Sequence, residues 1–353
     1  MKRIRNSNIE ILRIFSILGV IILHYNNASM GKAFVYTSQL PLNHGILYFF
    51  ECLCICSVNV FVLLTGYFMC KSKDRSIHKP LKLVIEVIFF SLFFYFMKVF
   101  FGMVKFSTTD FLYKCLPANY FVILYITLYF ISPYINILLE NLDKKSFNKL
   151  MITLLVIFSI YPSLLELFNE VTSTSLLGLS TIGMYGSQYG YTIVNFVLMY
   201  IIGAYIRLND IKLYCKMKNI ALYLMCAIIL LLWCYLGMII GKDTTGSALS
   251  YFNPFCILES VSLFMLFKQF RINNMKLINH ISKGTFIVFL IHTNFMSLVH
   301  IESFVTKSPI VMTIHLIIST CFIYAISLIV YIIYSFAFER VIDLLIKKRR
   351  RHI

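Results

Sequence analysis

Long apolar stretches, separated by short polar segments, follow one another along the whole chain. A transmembrane helix needs about 20 consecutive, mostly apolar residues, and ten stretches approach that length. They lie near residues 9–26, 44–69, 83–102, 119–139, 150–168, 191–206, 219–240, 250–267, 284–302 and 311–338. The pattern therefore predicts an all-α polytopic membrane protein, built as a bundle of about ten transmembrane helices.

Lysine and arginine residues are divided unevenly between the segments that connect these predicted helices. With the N-terminus in the cytoplasm, 25 of the 32 lie in cytoplasmic segments, 5 lie on the opposite side and 2 lie within helices. Cytoplasmic loops of membrane proteins carry such an excess of positive charge. The alternation predicts that both termini are cytoplasmic, in a multi-pass protein of the cell (plasma or inner) membrane.

Composition and charge exclude several other classes of protein. The chain is 59% hydrophobic and 13% charged, whereas soluble domains are about 45–50% apolar and about 25% charged. The net charge of +17 is explained by the cytoplasmic segments, so no nucleic-acid partner is expected, and the basic C-terminal end is expected to contact anionic membrane lipids. The short connections predict a single transmembrane domain over residues 1–353, without a fused soluble domain. The spacing of cysteines and histidines predicts no metal site.

The first predicted helix carries three ionisable residues, Glu10, Arg13 and His24. Arg13 and His24 are 11 residues apart, which places them within about 20° of the same helix face and about 16 Å apart along the axis. Ionisable groups inside a membrane are costly and indicate function. A histidine has the proton affinity of a general base at neutral pH. The alternative interpretation of His24 is an interfacial histidine at a helix end.

Six further residues in or beside the predicted helices are candidates for a substrate pocket, because polar side chains at membrane depth indicate a substrate path. They are Glu51, Asn59, Tyr120, Asn253, Glu259 and His292.

Four segments of the sequence resemble the acyltransferase family 3 membrane proteins. Residues 8–24 contain an arginine and a histidine separated by ten residues and preceded by an acidic residue, as in the opening helix of that family. Residues 58–68 and 120–136 are similar to its second and fourth helices, and residues 281–292 to its late Ser…Leu-Ile-His pattern. The four segments occur in the family's order and cover the chain from end to end.

The resemblance implies a membrane O-acyltransferase that moves an acyl group, usually acetyl, from cytoplasmic acyl-CoA to a sugar hydroxyl of a cell-surface or secreted polysaccharide, as in exopolysaccharide biosynthesis. Acetyl-CoA would be a co-substrate, and no permanently bound cofactor is expected. By this resemblance His24 corresponds to the catalytic histidine and Arg13 to the functional arginine of the first helix. Glu10 would orient Arg13.

The donor site is predicted among cations on the cytoplasmic side, since CoA phosphates form charge-assisted hydrogen bonds with such groups. The candidates are Arg13 and the cations of the loop 71–82, in particular Lys71, Lys73 and Arg75. The first cytoplasmic loop departs here from the paired arginines of the family.

The alternative function is a transporter of a small polar substrate or of a glycan intermediate. Some membrane domains that resemble this family accompany amino-acid-processing modules and are thought to move small substrates. Glu259 and His292 would then line a translocation path. The expected partners are acyl-CoA, a surface polysaccharide or lipid-linked glycan acceptor, and membrane lipids; the sequence leaves the oligomeric state open.

Overall fold

The computed structural model describes residues 6–176, 178–183, 188–211 and 215–339. These residues form no strand, and 78% of them are helical. The described chain contains ten long helices, α1 (Ser7–Asn26), α2 (Pro41–Met69), α3 (His78–Phe100), α4 (Tyr120–Glu140), α5 (Lys144–Thr172), α6 (Ile193–Leu208), α7 (Lys216–Ile239), α8 (Pro254–Lys268), α9 (Lys276–Val299) and α10 (Pro309–Phe338). The predicted all-α class is confirmed.

Each predicted membrane segment overlaps one of these helices. Eight of the helices are long and apolar enough to cross a membrane, whereas α6 and α8 have 16 and 15 residues. The number of crossings, the cytoplasmic placement of both termini and the single-domain organisation stay predictions.

The short helix α6 is mostly buried inside the bundle. Ten of the 16 residues of α6 are buried, whereas only 22% of the most apolar part of α3 and 28% of that of α5 are buried. A helix surrounded by protein need not match the thickness of the hydrocarbon layer. The inner position of α6 therefore explains why it is short.

The closest helix crossing joins α2 to α6 through two glycines. A methyl group on Gly66 would lie 2.0 Å from the carbonyl oxygen of Tyr200, and one on Gly203 would lie 2.1 Å from that of Leu63. Without a hydrophobic driving force between helices in lipid, small residues that allow close backbone approach stabilise such crossings. Any larger residue at either position would separate the two helices.

Polar side chains mark where several helices begin. The side chain of Asn119 accepts a hydrogen bond from the backbone N–H of Val122 at the start of α4. Asp143 accepts from Ser146 at the start of α5, and its hydrogen bonds to Ser146 lower the pKa of this exposed carboxyl. Such caps satisfy N–H groups that a helix start leaves without partners.

Helices α1 and α9 lie side by side and run in the same direction. The Ser7 hydroxyl donates to Asn279 Oδ1 at 3.1 Å, and further along the same two helices His24 contacts His292. Between these two contacts α1 contains more residues, from 7 to 24, than α9 does, from 279 to 292. A 3₁₀ segment, Ser282–Gly284, lies within this interval of α9, and a 3₁₀ helix rises further per residue than an α-helix. This parallel pair positions the candidate site.

Candidate active site

The two histidines that the sequence separates by 268 positions are in direct contact. His24 Nδ1 lies 2.6 Å from His292 Nε2, and the two rings are nearly parallel, with 7° between their planes. His292 is fully buried, and His24 is half-buried near the end of α1. The structure therefore joins the predicted catalytic histidine to a residue predicted for the substrate pocket.

Hydrogen bonding assigns the protons on these neutral rings. His292 Nδ1 lies 2.9 Å from the carbonyl oxygen of Val288, and a carbonyl only accepts, so Nδ1 of His292 carries the hydrogen. Nε2 of His292 is then the acceptor, and His24 must donate to it from Nδ1. The unprotonated nitrogen of the pair is consequently Nε2 of His24, where a general base needs its lone pair.

At the other end of α1, Glu10 connects this helix to α9. The Ser282 hydroxyl donates to Glu10 Oε2 at 2.6 Å, and the same oxygen lies 4.0 Å from Nε of Arg13. Glu10 is buried, whereas 36% of the Arg13 side chain is exposed. Glu10 is therefore held between helices, and Arg13 extends from it into open space.

That space is a cavity of about 830 Å³ between α1, α2, α3, α4, α9 and α10. At one end it is lined by four permanent cations, Arg13, Lys79, Lys82 and Lys283, with Glu86 as the accompanying carboxylate. Sites of this volume are typical of small-molecule and cofactor binding. The balance of charge favours an anionic ligand at this end.

The opposite end of the cavity is apolar and approaches the histidine pair. Val20, one helical turn before His24, forms part of the wall together with Val58, Phe121 and Phe289. The ring centroid of Phe289 lies 6.4 Å from that of His292. The cavity thus extends from the cations to the neighbourhood of the candidate base.

Lys79 and Lys82 belong to the predicted basic segment 71–82, but the sequence did not single them out as donor-site residues. The predicted third helix begins at 83, whereas α3 begins at His78, so both lysines lie three positions apart on one helical face rather than in a loop. Lys79 Nζ donates to the Tyr125 hydroxyl at 2.6 Å, which holds its ammonium group at the cavity wall. An earlier helix start, signalled by Pro80 in the first turn, would have revealed this face.

The three predicted loop cations lie outside the lining of this cavity. Lys71 is exposed, and Lys73 Nζ forms a salt bridge with Glu140 at 2.7 Å. Arg75 donates from Nε and Nη2 to Ser132 Oγ at 2.9 and 2.8 Å, and so fastens this loop to α4. A donor-binding role for these three cations stays a prediction without support from the cavity.

Two substrate-pocket candidates are Glu51, inside α2, and Tyr120, the first residue of α4. Glu51 Oε2 accepts a hydrogen bond at 2.8 Å from Nδ2 of Asn26, and Asn26 lies two residues after His24. Tyr120 is 41% exposed, and its ring meets that of Tyr191 edge-on, with centroids 4.7 Å apart. Neither residue contacts the histidine pair through a hydrogen bond that the structure describes.

The remaining three candidates are fully buried in the helix packing. Asn59 Nδ2 donates to the carbonyl of Tyr251 at 2.7 Å, and Asn253 caps the start of α8. Neither carboxylate oxygen of Glu259 meets a nitrogen or oxygen donor in the part of the chain described; the Cys56 thiol lies beside it. Asn59 and Asn253 thus hold the backbone at and before the start of α8, and none of the three residues lines the cavity.

The fold and this site define an all-α multi-pass membrane protein with a basic cavity that leads to a histidine pair. The family model described as an acyltransferase domain, that of acyltransferase family 3, matches residues 6–333. The chain belongs to this family, which confirms the resemblance, and the protein is a membrane acyltransferase. Comparison with curated proteins and with solved structures gave no match.

Proposed function

We propose that the protein transfers an acetyl group from cytoplasmic acetyl-CoA to a sugar hydroxyl of a cell-surface or secreted polysaccharide. The observation that carries this proposal is the His24–His292 pair, whose hydrogen bonds leave Nε2 of His24 unprotonated. This base lies beside the apolar end of a cavity whose other end is basic.

The two ends of the cavity complement the two ends of acetyl-CoA. The nucleotide part of CoA carries phosphates, which favour the cations around Arg13 and Lys79. The pantetheine arm is long and less polar, and it suits the apolar wall near Val20 and Phe289. Bound in this direction, the thioester would lie next to His24.

The reaction then requires one proton transfer in each direction at His24. Nε2 of His24 removes the proton of the acceptor hydroxyl as its oxygen attacks the thioester carbonyl. The carbon–sulfur bond breaks, and the leaving thiolate takes the proton back from His24. The products are an acetylated sugar and CoA with a free thiol, and the histidine returns to its starting state.

Transport is the alternative, and it expects polar residues along a path through the bundle. Glu259 is fully buried among α2, α7 and α8, and neither Glu259 nor His292 lines either of the two cavities described for this chain. The contact between His292 and His24 supports a chemical role for His292 in preference to a position in a path.

Reconstituted protein should convert acetyl-CoA and a glycan acceptor into acetylated glycan and free CoA in equal amounts. Proteoliposomes given acetyl-CoA labelled in the acetyl group would be analysed by mass spectrometry of the glycan and by a thiol assay. Protein with His24→Gln is the matched control and should give neither product. Movement of intact glycan across the vesicle without acetylation would instead support the transporter.

Removing a cavity cation should weaken donor binding more than it slows turnover. We expect Arg13→Ala or Lys79→Ala to raise the KM for acetyl-CoA about tenfold, since a hydrogen bond to a charged group contributes about 1.5–3 kcal/mol. Lys149→Ala, which removes an exposed cation outside the cavity, should leave KM unchanged. Initial rates over a range of donor concentrations measure both parameters.

A donor without the nucleotide separates phosphate binding from a structural role. With acetylpantetheine, which lacks the nucleotide phosphates, wild type and Arg13→Ala should have the same KM. An equal loss with both donors, accompanied by a lower unfolding temperature, would show that Arg13 serves only the contact with Glu10.

A further inference from the structure

A second cavity, of about 460 Å³, lies at the opposite end of α3 from the cations of the donor cavity. Its walls come from the later part of α3, the short helix Thr108–Lys114 and residues 290–294 of α9. Hydroxyl and amide groups of Ser91, Asn119 and Thr293 face it together with charged side chains. Nothing in the proposed acetyl transfer yet uses this space.

Lysines from two different elements line this second cavity. Lys98 belongs to the last turn of α3, and Lys114 to the end of the short helix. Within the part of the chain described, neither ammonium group has a carboxylate within 4.0 Å. Asp110 is the carboxylate in the wall, so the cavity carries an excess of positive charge. A single anionic group such as a phosphate would compensate it.

The outer surface of the same wall is strongly apolar. Phe100, Met103 and Leu112 are 82%, 71% and 60% exposed. The hydroxyl of Tyr95 donates to the carbonyl of Ser107 at 3.0 Å and accepts from its N–H at 2.8 Å, which holds this segment against α3. Lys98 lies in the last turn of α3, a helix long enough to cross a membrane, and lysines near the ends of such helices extend to the boundary of headgroups and acyl chains. The cavity is therefore placed at headgroup depth.

The second cavity also adjoins the catalytic pair. Leu290, Thr293 and Asn294 line it, and His292, between them in the chain, contacts His24. The amide oxygen of Asn119 accepts a hydrogen bond from the backbone N–H of Val122. The amide nitrogen of Asn294 donates to the carbonyl oxygen of Ile291. Within the described part of the chain, the amide nitrogen of Asn119 and the amide oxygen of Asn294 have no hydrogen bond to protein, so they are available to hydroxyl groups of a ligand.

We propose that this cavity binds the phosphosugar headgroup of a lipid-linked glycan, the acceptor of the acetyl group. Lys98 and Lys114 bind the phosphate, whereas Asp110 and the two asparagines bind sugar hydroxyls. The lipid chain lies along the exposed apolar surface of residues 100–112. This proposal rests on the proposed function because it identifies the form in which the acceptor reaches His24.

Binding of farnesyl phosphoglucose to the purified full-length chain tests the proposal without catalysis. The measurement is isothermal titration in detergent, in the His24→Gln background and without acetyl-CoA. Farnesyl glucoside, which lacks the phosphate, should bind at least tenfold more weakly. Lys98→Met should remove this difference, and Lys98→Arg should retain it. Lys105→Met removes an exposed lysine from the same segment outside the cavity and should have no effect.

Two results would overturn the proposal. One is equal affinity of the Lys98→Met and Lys105→Met proteins for farnesyl phosphoglucose, provided that both unfold at the same temperature. The other is equally tight binding of dioleoylphosphatidylglycerol, which would assign the cavity to an ordinary anionic lipid. The binding measurement contains no acetyl donor and therefore does not depend on acetyl transfer. Phosphosugar binding in this measurement, together with no acetyl transfer in the activity assay, would contradict only the proposed function.

Discussion

Replacement of His24 by glutamine is expected to lower the rate of acetyl transfer by 10²–10⁴-fold, the contribution typical of a general base. Glutamine retains a hydrogen-bonding side chain, but its amide does not accept a proton at neutral pH. The contact with His292 lies at the end of α1, so we expect the variant to insert normally. The measurement is glycan acetylation in cells that contain equal amounts of each protein in the membrane.

His300 provides a matched control for the loss of a histidine. It lies between α9 and α10 with a φ of 46°, and asparagine tolerates this left-handed conformation well. His300→Asn should therefore acetylate the glycan at the wild-type rate. Normal acetylation by His24→Gln would contradict the base assignment and return His24 to the interpretation of an interfacial histidine.

Replacement of His292 by leucine is expected to lower kcat on the order of 10²-fold with little change in the KM for acetyl-CoA. Leucine cannot accept the hydrogen on Nδ1 of His24, so this ring would lose the group that selects its tautomer. Loss of the orienting group of a catalytic histidine is known to cost up to about 10⁴-fold, and a neutral partner should contribute less than a carboxylate. Steady-state kinetics of the purified variant measure the two parameters separately.

Partial recovery by glutamine would distinguish positioning from packing. The amide oxygen of His292→Gln can accept from His24 Nδ1, so this variant should be faster than His292→Leu at the same thermal stability. If His292→Gln were as inactive as His24→Gln, His292 itself would be a proton carrier. If both His292 variants were merely less stable, with wild-type kcat, the residue would serve packing alone.

The helix face that Arg13 and His24 share on α1 could be predicted because it depends only on local geometry. Glu10, Arg13 and His24 are on one helix, and the helical repeat relates their directions without reference to the rest of the chain. The family resemblance drew attention to the same residues. Their predicted positions near the two ends of α1 agree with the bounds Ser7–Asn26.

The placement of Lys79 and Lys82 in a loop was wrong because of an error in a helix boundary. A charged residue such as Lys79 was assigned to a loop, since hydropathy alone starts a membrane helix at the first apolar residue. In the structure α3 includes this lysine, and Tyr125 of α4 holds its ammonium group. The compensating contact comes from another helix, which hydropathy along one segment does not include.

By itself, the sequence determined the class of protein, the approximate helices and the helix face shared by Arg13 and His24 on α1. Apolar length and helical periodicity are properties of single segments. Only the tertiary structure decided which polar residues meet. Asn59 and Asn253 had the same predicted status as His292, yet they donate to backbone carbonyls just before α8, whereas His292 reaches His24 across 268 positions. The packing of α1 along α9 makes that contact, and packing depends on side chains from every helix at once.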